Sequence, residues 1–243
     1  MSQEMVGKAI SGSIYDVYTT ASQDYKQNRM PRVGQKVEFE DGRKFVFAKA
    51  AEALVAGEVA GNAQTAEMVV DGDVGTGIYV VTVDAQTGVT ANQYAGGYLA
   101  ITNASTGKGE NYRIKSNTAT YSTNHVDFTL YDPLLSGLAD DDTINVSPAR
   151  YNGVVEGAAG EPAVGVAVAA IAAAGFGWLQ FAGPACVLVT TGAGVEDGVA
   201  IQAGATGGVV AADGTTGFTI GQAANATAVG NGEYTNVVLC IQG

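Results

Sequence analysis

Residues 175–189 read Gly175-Phe176-Gly177-Trp178-Leu179-Gln180-Phe181-Ala182-Gly183-Pro184-Ala185-Cys186-Val187-Leu188-Val189. Aromatic and branched apolar residues gather between glycine-marked breaks, and no charge interrupts them. The spacing predicts a strand over Trp178–Phe181, a turn at Gly183-Pro184 and a second strand over Val187–Val189. On the N-terminal side, Val164, Val166 and Val168 alternate with Gly and Ala. Ala158–Ala174 is Ala-rich enough for a helix on propensity alone. The valine alternation and Gly165 favour a strand. On the C-terminal side, Val199-Ala200-Ile201, Gly208-Val209-Val210, Phe218-Thr219-Ile220 and Val237-Val238-Leu239 follow at short intervals. Breaks fall at 192–198, 203–208, 213–217 and 230–232, the rhythm expected of a sandwich or barrel. Residues 151–243 are therefore expected to form a small β-barrel or sandwich domain.

The same pattern continues upstream, so the fold class is mainly β. Ile78-Tyr79-Val80-Val81-Thr82-Val83, Tyr98-Leu99-Ala100-Ile101, Tyr112-Arg113-Ile114 and Val126-Asp127-Phe128-Thr129-Leu130 read as strands. Turns are expected at Gly96-Gly97, Thr106-Gly107-Lys108-Gly109 and Asp132-Pro133. Over 33–49, Val37 and Phe39 alternate with charged residues. Asp41-Gly42 then marks a two-residue turn before Phe45 and Phe47, which predicts a hairpin. Ala50–Ala60 is open to a short helix or a strand, and Gly57 weakens the helix. The chain thus divides into an arm over 1–32, a β-rich region over 33–150 and a C-terminal domain over 151–243. The last boundary is marked by Tyr151-Asn152-Gly153.

The arm is polar, carries Tyr15, Tyr18 and Tyr25 among Ser, Thr, Gln and Asn, and ends at Pro31. It has no helical stripe, so it is expected to order against a partner. Tyr serves well where one end of a side chain is apolar and the other wet. With Lys26, Arg29 and Arg32 these tyrosines are the candidate contact residues.

The 243 residues carry a formal net charge of -12, unevenly spread. Residues 1–50 hold eight Lys/Arg against six Asp/Glu, residues 51–150 four against twelve, and residues 151–243 none against six. The last third therefore cannot neutralise a phosphate backbone, and a nucleic-acid partner is not expected. The 34 glycines show no three-residue period, which excludes collagen. Met1–Ile10 lacks a signal-peptide core, and Ala163–Phe176 is too short and Gly/Ala-rich to span a bilayer. The expectation is synthesis in the cytoplasm and no membrane partner. Cys186 and Cys240 lie in apolar runs and are expected to be reduced and buried.

No catalytic pattern emerges. His125 is the only histidine and lies in a polar stretch, without sequence-adjacent partners for base or metal chemistry. No Gly-x-Ser-x-Gly elbow occurs, and Gly107-Lys108-Gly109 is not a P-loop. Asp71-Gly72-Asp73 and Asp140-Asp141-Asp142 could each be a surface turn or a weak divalent site, but neither has the twelve-residue calcium-loop pattern. No cofactor and no metal are expected. Trp178 is read as a core aromatic, with glycan stacking as the sharper alternative.

Two sets of residues carry a resemblance. One is Val164–Val168, Gly175–Ala185 and the late Ile220-Gly221-Gln222-Ala223. The other is Gly107–Ile114 with Leu130-Tyr131-Asp132-Pro133-Leu134. The layout resembles tailed-phage capsid decoration, or cement, proteins. That resemblance implies a structural protein and not an enzyme, bound to the exterior of the virion capsid. Its partners would be the major capsid protein and further copies of itself, as a homotrimer. The competing reading is a tail-associated or adhesin module that binds surface glycans through Trp178 and the turn-rich loops.

Overall fold

The computed structural model describes residues 31–62, 66–84, 88–122, 124–158, 162–190, 195–204, 206–214, 218–224 and 229–241, and the backbone of 5–6. Among these residues every regular element is a strand, as the period-two patterning predicts. The chain forms two compact units. One comprises residues 1–62 and 150–243, and the other is residues 63–149, inserted between them.

The inserted unit is a closed barrel. Its strands are β5 (Ala66–Val70), β6 (Val80–Asp84), β7 (Tyr98–Asn103), β8 (Asn111–Asn117), β9 (His125–Leu130) and β10 (Thr143–Ser147). They run in the order β10-β5-β6-β9-β8-β7, and β7 pairs back to β10. Inward positions alternate along the strands, with one register shift in β8 after Ile114. Val81, Val83, Leu99, Ile114, Val126, Phe128, Ile144 and Val146 have no measurable exposure. Tyr94 packs edge-on to Phe128 at 5.7 Å. Closing the sheet leaves no open edge to pair with a foreign strand.

The other unit holds β1 (Met5–Val6), β2 (Lys36–Phe39), β3 (Lys44–Ala50), β4 (Val59–Gly61), β11 (Asn152–Glu156), β12 (Ala163–Ala167), β13 (Phe176–Leu188), β14 (Ala200–Ala203), β15 (Val209–Ala211), β16 (Thr219–Ala223) and β17 (Tyr234–Cys240). Pairing passes from β3 through β11, β4 and β12 to β13, which pairs again with β3, so five strands form a circuit. From β13 the sheet continues through β17, β16 and β14 to β15, and a parallel bridge joins Val189 to Val209. One continuous core fills this unit, including Val46, Leu54, Val166, Leu179, Val187, Ile201 and Leu239. A second cluster gathers Val37, Phe39, Phe45, Phe47 and Trp178.

Several expectations change at this level. The closed barrel belongs to 66–147 and not to 151–243. The C-terminal strands instead complete their core with β3 and β4, so the 33–49 hairpin goes with residues 150–243. The Tyr151-Asn152-Gly153 boundary falls beside the actual division at Ala149/Arg150. The hairpin turn has three residues, Glu40-Asp41-Gly42, closed by the Phe39 N–H donating to the Arg43 carbonyl at 2.9 Å. Gly42 takes φ of 83°, the left-handed position such a loop requires. Residues 51–58 adopt neither helix nor strand, and β4 starts only at Val59.

The turn expected at Gly183-Pro184 is instead a bend inside one 13-residue strand. Gly183 adopts φ of 81°, and a side chain there would meet the Gly42 carbonyl at 2.8 Å. At this bend β13 leaves β3 and takes up β17. The cysteines also depart from expectation, for both are exposed free thiols. Parity decides this: Val187 and Leu239 face inward, so Cys186 and Cys240, one residue away, face out.

Candidate functional site

Of the candidate contact residues, Tyr15, Tyr18, Tyr25, Lys26 and Arg29 lie outside the described residues. Arg32 is exposed at the entrance to β2. Its N–H donates to the Gln35 Oε1 at 3.1 Å and its carbonyl accepts from the Gln35 N–H at 2.8 Å. Upstream, Met5 and Val6 pair with Phe39 and Glu38, so part of the expected arm adds a strand to β2.

Trp178 is 3% exposed. It stands opposite Phe47 in the β13–β3 register, with ring centroids 5.1 Å apart. A buried indole has no face to offer a sugar, so a glycan platform at Trp178 is excluded.

His125 has partners that the sequence did not reveal. The β6–β9 register sets it opposite Asp84. Its Nε2 lies 3.1 Å from Asp84 Oδ1 and 3.6 Å from Asp71 Oδ2, and Tyr121 packs edge-on at 6.0 Å. The Tyr121 hydroxyl donates to Asp127 at 2.8 Å, as does Thr82. Proximity to Asp127 raises the Tyr121 pKa, chiefly because that hydrogen bond favours the neutral phenol.

The two acidic turns meet each other. Asp140 accepts from the Gly72 N–H at 2.9 Å, and Asp73 accepts from the Asp140 N–H at 3.0 Å. Asp142 accepts from the Ala139 N–H at 2.8 Å. These carboxylates thus serve as turn acceptors for backbone donors. Among the described residues no group of His, Cys, Asp or Glu is arranged to hold a metal ion.

At the same unit, Glu110 ties the 132–138 loop to β8. Ser136 donates to its Oε1 at 2.6 Å, Tyr112 donates to its Oε2, and the Leu135 N–H donates to the Tyr112 hydroxyl at 2.8 Å. The Ser136 hydrogen bond first, then that of Tyr112, holds the Glu110 carboxyl below its ordinary value of 4.5. A carboxylate with a lowered folded-state pKa stabilises fully above the ordinary value. That stabilisation is lost as pH falls through the lowered one. Glu110→Gln is therefore expected to lower the melting temperature at neutral pH. The gap to the parent should close in acid, as thermal unfolding across that range would read. A gap independent of pH would mean that the carboxylate charge is not what holds the loop.

What distinguishes the surface is exposed apolar and aromatic area. On the barrel, Tyr98 and Tyr131 are each 51% exposed. Arg113 stands between them: it is opposite Tyr98 in register, and its guanidinium lies 5.2 Å from the Tyr131 ring. On the larger unit, strands β12 to β17 contain no charged residue at all. On β13 and β17, Pro184 stands opposite Val238, Cys186 opposite Asn236 and Leu188 opposite Tyr234. Pro184, Cys186, Val238, Asn236 and Tyr234 are exposed. The sequence showed the missing charge but not that these residues share one outward face.

Comparison with protein-family models, with curated proteins and with solved structures finds no match for the chain.

Proposed function

We propose that the chain is a structural protein of a tailed-phage capsid. It would bind the outside of the assembled shell, contact the major capsid protein through residues 1–32 and stabilise the shell by bridging capsomers. One observation carries the reading: strands β12 to β17 hold no charge, yet expose Tyr234, Val238, Cys186 and Cys240. Exposed apolar area on rigid sheet is suited to burial against protein, and contact area spread over a shell adds stability to the assembled state by mass action. The sequence resemblance supplies the shell as the partner.

The Tyr98, Arg113 and Tyr131 row favours a second reading, a module that stacks surface glycans. Pelleting with empty capsids separates the two. The shell reading expects saturable co-sedimentation at a fixed ratio and a higher capsid melting temperature. No pelleting, with binding to a glycan panel that is lost on Tyr98→Ala, would replace it with the second reading.

A further inference from the structure

We propose that the Tyr98, Arg113 and Tyr131 row on the inserted barrel binds an acidic oligosaccharide, with the Arg113 guanidinium taking its anionic group. The inference rests on the glycan reading of that row and adds the class of ligand. The row lies in a different unit from residues 1–32 and strands β12 to β17, which carry the shell reading. Saccharide binding by the barrel is therefore a function that can stand beside shell binding.

Strand pairing sets the three residues in line. Tyr98 of β7 is the register partner of Arg113 of β8. On the other side of β8, the Tyr131 N–H donates to the Arg113 carbonyl at 3.0 Å. The two tyrosine positions are thus about 10 Å apart, twice the spacing of adjacent strands. That span calls for an oligosaccharide rather than a single sugar. Each tyrosine is 51% exposed. The guanidinium lies 5.2 Å from the centre of the Tyr131 ring, an attraction that keeps it within the row. A ligand laid across the three strands meets a phenol at each end and a cation in the middle.

Charge selects the ligand. Residues 63–149 hold ten Asp/Glu and only three Lys/Arg. Those three are Lys108, Arg113 and Lys115, all on β8 or in the turn before it, and all exposed. The ion pairs among the described residues engage Arg43, Lys44 and His125, and none of these three. Glu110, which precedes β8, is taken up by Ser136 and Tyr112. The cations of an acidic unit are thus gathered on one strand, between two tyrosines and free to meet an anion. A guanidinium pairs with a carboxylate or a phosphate through two parallel hydrogen bonds. Tyrosine adds a rigid ring that is apolar on its face and polar at its tip, which suits a sugar. A neutral sugar would leave the charge unused. A nucleic acid would bring a run of phosphates past the neighbouring carboxylates, and three cations are too few to offset that repulsion.

The test is a panel of uronate-, sialate- and phosphate-bearing oligosaccharides, each set beside its neutral parent sugar, with a poly-glutamate peptide as a further arm. The full chain should bind acidic members at least about tenfold more tightly than their neutral parents, the worth of a charge-assisted hydrogen bond. The uronate and sialate arms against the phosphate arm tell which anion is preferred. The preference should shrink as salt rises. Arg113→Gln should abolish it and leave the acidic and neutral forms bound equally. Tyr98→Ala should weaken both forms. Far-UV circular dichroism should show that neither exposed substitution changes the fold. Equal binding of acidic and neutral sugars by the parent chain would overturn the proposal and leave the glycan reading intact. An acidic preference that survives Arg113→Gln would overturn it, as would binding of poly-glutamate in place of any saccharide. Binding to no member of the panel would remove this proposal and the glycan reading together. Capsid pelleting is measured separately, so none of these results touches the shell reading.

Discussion

Replacing Trp178 by alanine is expected to destabilise the larger unit by about 3–5 kcal/mol, the range for removing a large buried aromatic. The side chain is 3% exposed and fills the centre of a small cluster with Val37, Phe39, Phe45 and Phe47. Phe39 and Phe45 meet edge to face at 5.4 Å, and Phe47 lies between Trp178 and Phe176. Few neighbours can shift to fill the void, because Phe45 and Phe47 are fixed by the β3–β13 ladder on the same residues. Chemical denaturation followed by far-UV circular dichroism would measure the loss. A cost under about 1 kcal/mol would show that the cluster collapses around the cavity.

Deleting residues 1–32 is expected to abolish most binding to empty capsids while the strands from β2 onward remain folded. In the described part of the segment, the two-residue β1 pairs at the outer edge of β2 and Arg32 hydrogen-bonds to Gln35 at its entrance. Losing an edge pair of that length costs little beside the buried core that remains. The positive balance of Lys26, Arg29 and Arg32 against an acidic remainder suits an acidic or polar shell surface, so the lost binding should be the salt-sensitive part. Equal pelleting of the truncated and full chains would remove the attachment role. Unfolding on truncation would place the segment in the core.

The local part of this fold was legible and the long-range part was not. Val37, Phe39, Phe45 and Phe47 announced the hairpin because β2 alternates and both apolar runs flank Asp41-Gly42 inside one short window, although β3 itself is buried on both faces. Tyr98, Tyr112 and Val126 likewise marked β7, β8 and β9. Strand β10 was hidden: it follows three aspartates, and only Ile144 and Val146 of its five residues are apolar and buried. Its role depends on pairing with β7 about forty residues away, which no local pattern encodes. Gly183-Pro184 carries the chemistry of a turn and was read as one. The ladders to β3 and β17 on either side hold the strand continuous through it.

The candidate surfaces show the same limit. Asp84 and His125 lie far apart in the chain and meet only because β6 pairs with β9. The absence of charge after residue 161 in every strand was visible, but which apolar residues turn outward was set by register. A one-residue difference in parity reversed the expected burial of both cysteines.

The insertion of 87 residues between β4 and β11 has a consequence for the order of folding. Those two strands pair antiparallel, Gly61 with Val155, across a gap that would make closure slow in a featureless chain. Within the inserted barrel, however, Ala66 is the register partner of Val146. Once the barrel has closed, its own first and last strands hold the two exits of the chain together. The separation that β4 and β11 must bridge then shrinks to the few residues on either side. A barrel that folds first would turn a remote contact into something close to a hairpin, and its contribution to the rest of the molecule would be kinetic.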